Sequence, residues 1–463
     1  MKIEFNNVGL LKHAEIDLSK DLIVLAGPNN TGKTYAAYSV YGLYKFNREN
    51  GLKLRLDTNI PESGDWIIAL KEKGQYSLNI LNLFRELKSN IEQRNCETLK
   101  SELGNIFDTE DSFFEKSSVC VLINEEVSVE NLRMISVNNN LVFGKINIKI
   151  VKEKNNENVE FFFIEKSDSE NSFEASKLFT IDNFITSILE EMVLSIISNT
   201  IFNNVFIAPA ERSAINIFSR QLSIKRNLMV DKLLEYKDKR KSEDIFRKAQ
   251  RYPLPIRDSL EIAEDVVELQ KNRSEYAFLA DKIEEELLKG KIKISKEGSV
   301  QFNPFGSKIK NLEIHLTASI VKSLSNLVFY FRHLAKKGDF IIIDEPELNL
   351  HPDNQRKIAR LMGEFINNGF KVMISTHSDY IIREINNLIM LKIGGEKADN
   401  LALKYGYESI QLIDHQRVGA YLFHKSKNVS IDVTETGFEV DTINEEINNL
   451  NNAAEEIYFT LFD

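Results

Sequence analysis

The string GPNNTGKT at residues 27–34 constrains this chain more than any other feature. It matches G-x-x-x-x-G-K-[ST], a loop whose backbone N–H groups turn inward onto phosphate oxygens. Gly27 and Gly32 supply the backbone freedom, with Asn29, Asn30 and Thr31 between them as further phosphate-contacting positions. Lys33 offers a point charge to β and γ phosphates, and the Thr34 hydroxyl is a candidate ligand for Mg²⁺. Tyr35 follows in the first turn of the expected helix, whose positive dipole end adds to the attraction. An apolar strand (LIVLA, 22–26) precedes the loop and a helix-compatible run (TYAAYSVYGLY) follows it. Strand, glycine loop and helix in that order predict an α/β chain with its functional loops at the carboxyl edge of a parallel sheet.

A second string, IIIDEPELNLHP at 341–352, predicts a buried strand that delivers two adjacent carboxylates. Asp344 is the candidate metal ligand, and Glu345 the candidate base for a water attacking in line at a γ phosphate. Further on, FKVMISTHSDYI runs another apolar strand into Ser375, Thr376 and His377. His377, at a strand end on the same edge, is placed to bond a γ-phosphate oxygen and the water. Lys33, Glu345 and His377 thus form the expected catalytic set, with Thr34 and Asp344 on the metal.

Composition narrows the rest. At 463 residues and 53.2 kDa, the chain suits one large α/β domain with insertions, or two to three modules. With 43% hydrophobic and 28% charged residues it can bury a sizeable core, which excludes a disordered or fibrous chain. Only two cysteines, Cys96 and Cys120, exclude a disulfide framework and CxxC zinc sites, and fit a reducing cytoplasm. The net charge of −10 leaves no global field toward nucleic acid, so any DNA contact needs a local patch. The first residues alternate in polarity, unlike a signal peptide. Glu190 and Glu191 interrupt the most apolar stretch, 184–201, which argues against a membrane span.

The expected ATPase core is discontinuous: residues 1–46, 203–218 and 300–395. Residues 47–202 form a mixed α/β insertion closing on an apolar helix. In that helix Phe184, Ile188, Met192 and Ile196 recur every four residues, as do Ile185, Leu189, Val193 and Ile197. Residues 219–299 read as a charged helical insertion. Its 219–251 half holds eleven Lys/Arg against five Asp/Glu, and its 260–288 part holds three against nine. This is either a solvated antiparallel helix pair or a basic nucleic-acid surface beside an acidic one. Residues 396–463 read as a small strand-rich end and a final helix.

The three motifs together resemble the ABC-class P-loop ATPases of the SMC, RecF and OLD kind. The resemblance covers about 1–46 and 300–395, with an echo at 203–216 (NNVFIAPAERSAIN). It implies ATP and Mg²⁺ as ligands, and a nucleotide-sandwich dimer or higher homo-oligomer in which a signature helix reaches the partner's γ phosphate. LSGGQ is absent; LTASIVKSLSNL stands at that place. Either Ser319 and Ser323 supply hydroxyl and dipole in trans, or they belong to an ordinary capped, buried helix. The resemblance puts Asn349 and His351 in the loop between two ATP sites. Glu211 and Arg212 stand where a lining segment is expected, or form a structural pair. No Toprim-like acidic nuclease follows residue 395, and no long heptad arm is present. The chain therefore looks most like the stand-alone ATPase subunits of bacterial antiphage systems of the PARIS and Septu kind. That resemblance implies a separate effector, a nuclease or toxin. The alternatives are a RecF-like DNA-binding repair ATPase, supported by 219–251, and an ATP-bound scaffold with little turnover.

Overall fold

The computed structural model describes residues 1–49, 60, 63–143, 146–165, 175–218, 252–295 and 298–462. The basic stretch 219–251, with Arg226, Lys239 and Arg240, lies outside them. In chain order the described strands are β1 Lys2–Val8, β2 Leu11–Asp17, β3 Leu22–Ala26, β4 Gln75–Asn79, β5 Ser118–Leu122, β6 Val137–Phe143, β7 Ile146–Lys152, β8 Asn158–Glu165, β9 Val205–Ala208, β10 Gly290–Ile294, β11 Val300–Pro304, β12 Leu312–Glu313, β13 Phe340–Asp344, β14 Lys371–Thr376, β15 Val418–His424 and β16 Lys427–Ile431. The chain divides into two units: residues 1–2, 43–98 and 120–203, and residues 3–42, 99–119 and 204–463.

The larger unit is organised by a nine-stranded sheet in the order β5-β1-β2-β16-β15-β3-β14-β13-β9. Its centre, β15-β3-β14-β13-β9, is parallel throughout. Every residue of β3 and β13 is buried, as expected of parallel strands covered on both faces, which explains their apolar runs LIVLA and FIII. Register pairs Asp344 with Ser375 and Thr376 with Ala26, so the strand ends carrying the motifs finish level. The Pro352–Asn367 and Asp379–Leu391 helices each bury one apolar stripe, including Ile358, Leu361, Phe365, Ile381, Ile385 and Leu388. Ser378 caps the second helix, its hydroxyl accepting from the Ile381 N–H.

Two sequence expectations change here. The 396–463 segment is not a separate end: β15 lies beside the phosphate-loop strand, and β16 pairs with β15. Nor is the acidic part of the helical insertion a solvated arm. Val266, Leu279, Ala280, Ile283, Leu287 and Leu288 join the main core. Glu284 is wholly buried, and both its oxygens accept from Arg332, at 2.8 and 3.1 Å. Within that stretch Asp281 and Glu284 both pair with Arg332.

The smaller unit holds an antiparallel sheet, β4-β8-β7-β6. Trp66, Tyr76 and Phe161 form a three-ring cluster, Trp66 stacking on the other two at ring separations of 6.1 and 6.0 Å. The Ala175–Ile201 helix contributes Ile185, Leu189, Val193 and Ile197 to this core. Of the other expected stripe, Ile196 is buried and Met192 half-buried, while Phe184 is exposed. By length and composition Phe184–Ile201 is long and apolar enough to cross a membrane, yet its central stripe is spent on protein packing.

Candidate functional site

β3 delivers the chain to Gly27 at the sheet edge. Gly27 has φ +134°, and a Cβ there would stand 2.2 Å from the backbone oxygen of Phe423 on β15. Gly32 has φ +101°, and its Cβ would meet Leu11 at 2.3 Å. Neither position accepts a side chain, for reasons set by neighbouring strands as well as by the turn. Asn30 also adopts a left-handed conformation, and Asn29 and Asn30 are exposed at the loop tip. Thr31 is buried, its hydroxyl closing the loop on the Pro28 carbonyl at 2.8 Å.

The helix beginning at Lys33 presents its first-turn N–H groups at this loop, where a helix has no acceptors of its own. The Lys33 ammonium is buried and donates to the carbonyls of Gly27 and Pro28, at 2.8 and 2.7 Å. Burial pushes its pKa down, against the raising pull of Asp344, Glu345 and Glu347. Tyr35 turns away: its ring lies against Gly9 and packs on Phe107 at 4.9 Å, so only its backbone can serve a phosphate.

The acidic half sits across β14. Asp344 is 2% exposed, and one of its oxygens accepts from the Thr34 hydroxyl at 3.1 Å, joining residues 310 apart. The other accepts from the Ser375 hydroxyl. Burial lifts the Asp344 pKa to about 6, with Glu345 and Glu211 adding and the two hydroxyls opposing. Glu345 has φ +51°, and its N–H donates to the Ser375 carbonyl at 3.0 Å. Positive φ is uncommon for a non-glycine residue and clusters at functional sites.

Glu347 was not singled out from the sequence. It is buried, and its Oε1 accepts from the Thr376 hydroxyl at 2.9 Å and the His377 N–H at 2.8 Å. The half-exposed His377 ring brings Nδ1 within 3.3 Å of the same oxygen, while Glu347 Oε2 is buried without a hydrogen-bond partner. A third carboxylate three residues past Asp344 was the available signal. Without tertiary contacts it looked like a loop residue.

Arg212 and Glu211 do not pair with each other in the way the sequence allowed. Arg212 is 1% exposed and donates to the carbonyls of Pro209, Asp344 and Glu345, at 3.0, 2.7 and 2.6 Å. It clamps the backbone that presents both carboxylates. Glu211 accepts instead from the Tyr38 hydroxyl at 3.2 Å. Ser319 and Ser323 also part company. Ser319 opens the Ser319–Phe329 helix and is exposed, but the cap position belongs to Ala318. Ser323 is 1% exposed, with its hydroxyl 2.6 Å from that of Ser213 and taking a bond from Asn349 at 3.4 Å. In this chain it faces the interior, as the buried-helix alternative expects. His351 caps the Pro352–Asn367 helix, accepting from the Asp353 N–H at 3.3 Å.

No cluster of three or more His, Cys, Asp or Glu suited to a metal occurs among the described residues. One hydroxyl, Thr34, and one carboxylate, Asp344, in contact are instead the hard-oxygen set that suits Mg²⁺ when phosphates supply further ligands. The fold and site therefore define a P-loop nucleotide-binding domain of the ABC type, α/β in class and interrupted by insertions. The match to the AAA ATPase domain family model spans residues 1–382, and the chain belongs to that family. No curated protein matches it in sequence. Among solved structures it is similar to an Smc head bound to the C-winged helix domain of ScpA (12% identity, 94% of this chain, 98% of that chain, TM-score 0.32). It is also similar to an Smc head with an extended coiled coil bound to the C-terminal domain of ScpA from Pyrococcus furiosus (12% identity, 98% of each chain, TM-score 0.30). Scores this low lend nothing further to the functional argument.

Proposed function

We propose that this chain hydrolyses ATP at the carboxyl edge of β3, β14 and β13, and uses that turnover to control a separate effector protein, a nuclease or toxin, in antiphage defence. The observation that carries the catalytic part is the Thr34–Asp344 bond, which brings the phosphate loop and the acidic strand into one site. Thr34 and Asp344 would hold Mg²⁺, which when bound offsets charge on the β and γ phosphate oxygens. Lys33, freed from the loop carbonyls, is the cation for the same phosphates. Glu345 accepts the proton of the attacking water, and Arg212 fixes the backbone from which it projects. His377, oriented by Glu347, is placed to register the γ phosphate. The effector and the nucleotide-sandwich dimer rest on the family resemblance alone.

Glu345→Gln is expected to cut turnover by about 10²–10⁴-fold while keeping nucleotide affinity. Lys33→Ala is expected to weaken binding itself. Unchanged turnover in purified Glu345→Gln protein removes the assignment. For the effector, the mass of the complex purified with its neighbouring gene products is the test: a stable second protein supports control of an effector. The DNA-binding reading draws on the eleven bases of 219–251. ATP-dependent DNA affinity that falls steeply with salt, and vanishes on charge reversal at Arg226, Lys239 and Arg240, would replace the effector reading.

A further inference from the structure

The Asp441–Phe462 helix buries none of its residues fully, although ten of its 22 residues are apolar. Leu450, Ile457 and Leu461 are 70%, 58% and 68% exposed. Burying such residues is worth much more than leaving them in water, so an uncovered apolar stripe of this kind marks an interaction surface.

The spacing says what kind. Ile443, Ile447, Leu450, Ala454, Ile457 and Leu461 follow one another at steps of four, three, four, three and four. That 3.5-residue period is that of a coiled-coil seam; Ala453 and Tyr458 flank it, while Phe459 and Phe462 lie outside it, 58% and 74% exposed. Ile443 packs against the main core of its own chain and fixes the root of the helix, from which the other five seam positions run outward.

The charges select the occupant. The helix carries five acidic and no basic residues, which opposes binding to an anionic membrane surface. A basic-rimmed groove on another protein would call for acids along the edges of the seam. Glu445, Glu455 and Glu456 instead lie on the far face, and Glu446 is the one charge at a flanking position. In a parallel pair of identical helices, Glu446 faces Asn451 of the other copy, an amide able to donate to it, so no like charges meet across the seam. We infer that this helix pairs with the same helix of a second copy of the chain, forming a short coiled coil. The contact needs no nucleotide and is independent of the catalytic reading. The small Ala454 at the centre of the seam weakens the packing there, so the pairing is concentration-dependent rather than permanent.

The test is the mass of the full chain by sedimentation equilibrium, without nucleotide, across the micromolar range. The native chain is expected to move from one copy toward two. The double substitution Leu450→Ser, Ile457→Ser is expected to hold at one copy, and Ala454→Leu to move the midpoint about tenfold lower in concentration. Glu455→Lys on the far face is expected to leave the midpoint in place. All four positions are exposed, so circular dichroism should be unchanged and mass alone decides. A native chain that stays single throughout overturns the inference. A dimer that survives the double serine substitution, or that Glu455→Lys abolishes, overturns it equally.

Discussion

The two halves of the candidate site stand on the same sheet edge but are built by different means. The phosphate loop is a backbone construction. Its glycines at φ +134° and +101°, its left-handed Asn30 and its helix start all exist to aim N–H groups, while the side chains at its tip are exposed. The acidic half is a side-chain construction. Asp344, Glu347 and Arg212 are all buried, and each is held by hydroxyls, amides or carbonyls from another segment. A backbone site fails when a Cβ is added and tolerates exchange of its exposed side chains. A buried charged site responds to pH, and a substitution there either relieves a desolvation cost or leaves a partner uncompensated.

The sharpest way to break that comparison is Gly27→Ala. Its methyl would stand 2.2 Å from the Phe423 backbone oxygen in a conformation alanine rarely adopts. A loss of about 3–5 kcal/mol in denaturant unfolding is expected, with nucleotide binding lost in whatever remains folded. A freely folding, nucleotide-binding Gly27→Ala protein would show that β15 is not packed against the loop.

Asp344→Asn probes the other half and has the opposite sign for stability. The folded protein holds the Asp344 proton up to about pH 6, above the ordinary carboxylate value of 3.8. Between those values the folded state binds more protons than the unfolded one, so this group makes stability fall as pH rises. By pH 7 the cost is on the order of 3 kcal/mol. Asp344→Asn removes that charge, so the metal-free protein is expected to gain roughly 1–3 kcal/mol at pH 7 and to lose the decline between pH 4 and 6. Hydrolysis is expected to disappear at the same time. A destabilised variant with an unchanged pH profile would mean that Asp344 is not a strained buried acid.

The smallest effect is expected at Asn29. Its side chain is exposed at the loop tip, so Asn29→Ala should change stability by less than about 0.5 kcal/mol. Nucleotide affinity measured by titration calorimetry should stay within a few-fold, because the loop works through its backbone. A large loss would make the loop a side-chain site after all.

Much of this was legible beforehand because it is local. The strands 22–26, 340–344 and 371–376 announce themselves by their apolar runs LIVLA, FIII and VMI, and the glycine spacing announces the turn. Glu347 was harder to read, since a carboxylate in a loop resembles any other until Thr376 and the His377 N–H are brought to it. Ser323 was left between two readings for the same reason. A serine one turn into a helix faces a partner or its own core, and only Ser213 and Asn349 settle the choice.

The amino-acid sequence by itself determined the loop, the helix that opens at Lys33, and the paired carboxylates at a strand end, because periodicity and glycine spacing act over a few residues. Tertiary structure alone decided that β15 closes over Gly27, that Arg212 clamps the Asp344–Glu345 backbone, and that the apolar face of the 260–288 stretch packs into the core. These are contacts between residues as much as several hundred positions apart. Their energies depend on which surfaces lose water together, and no local pattern in the chain records that.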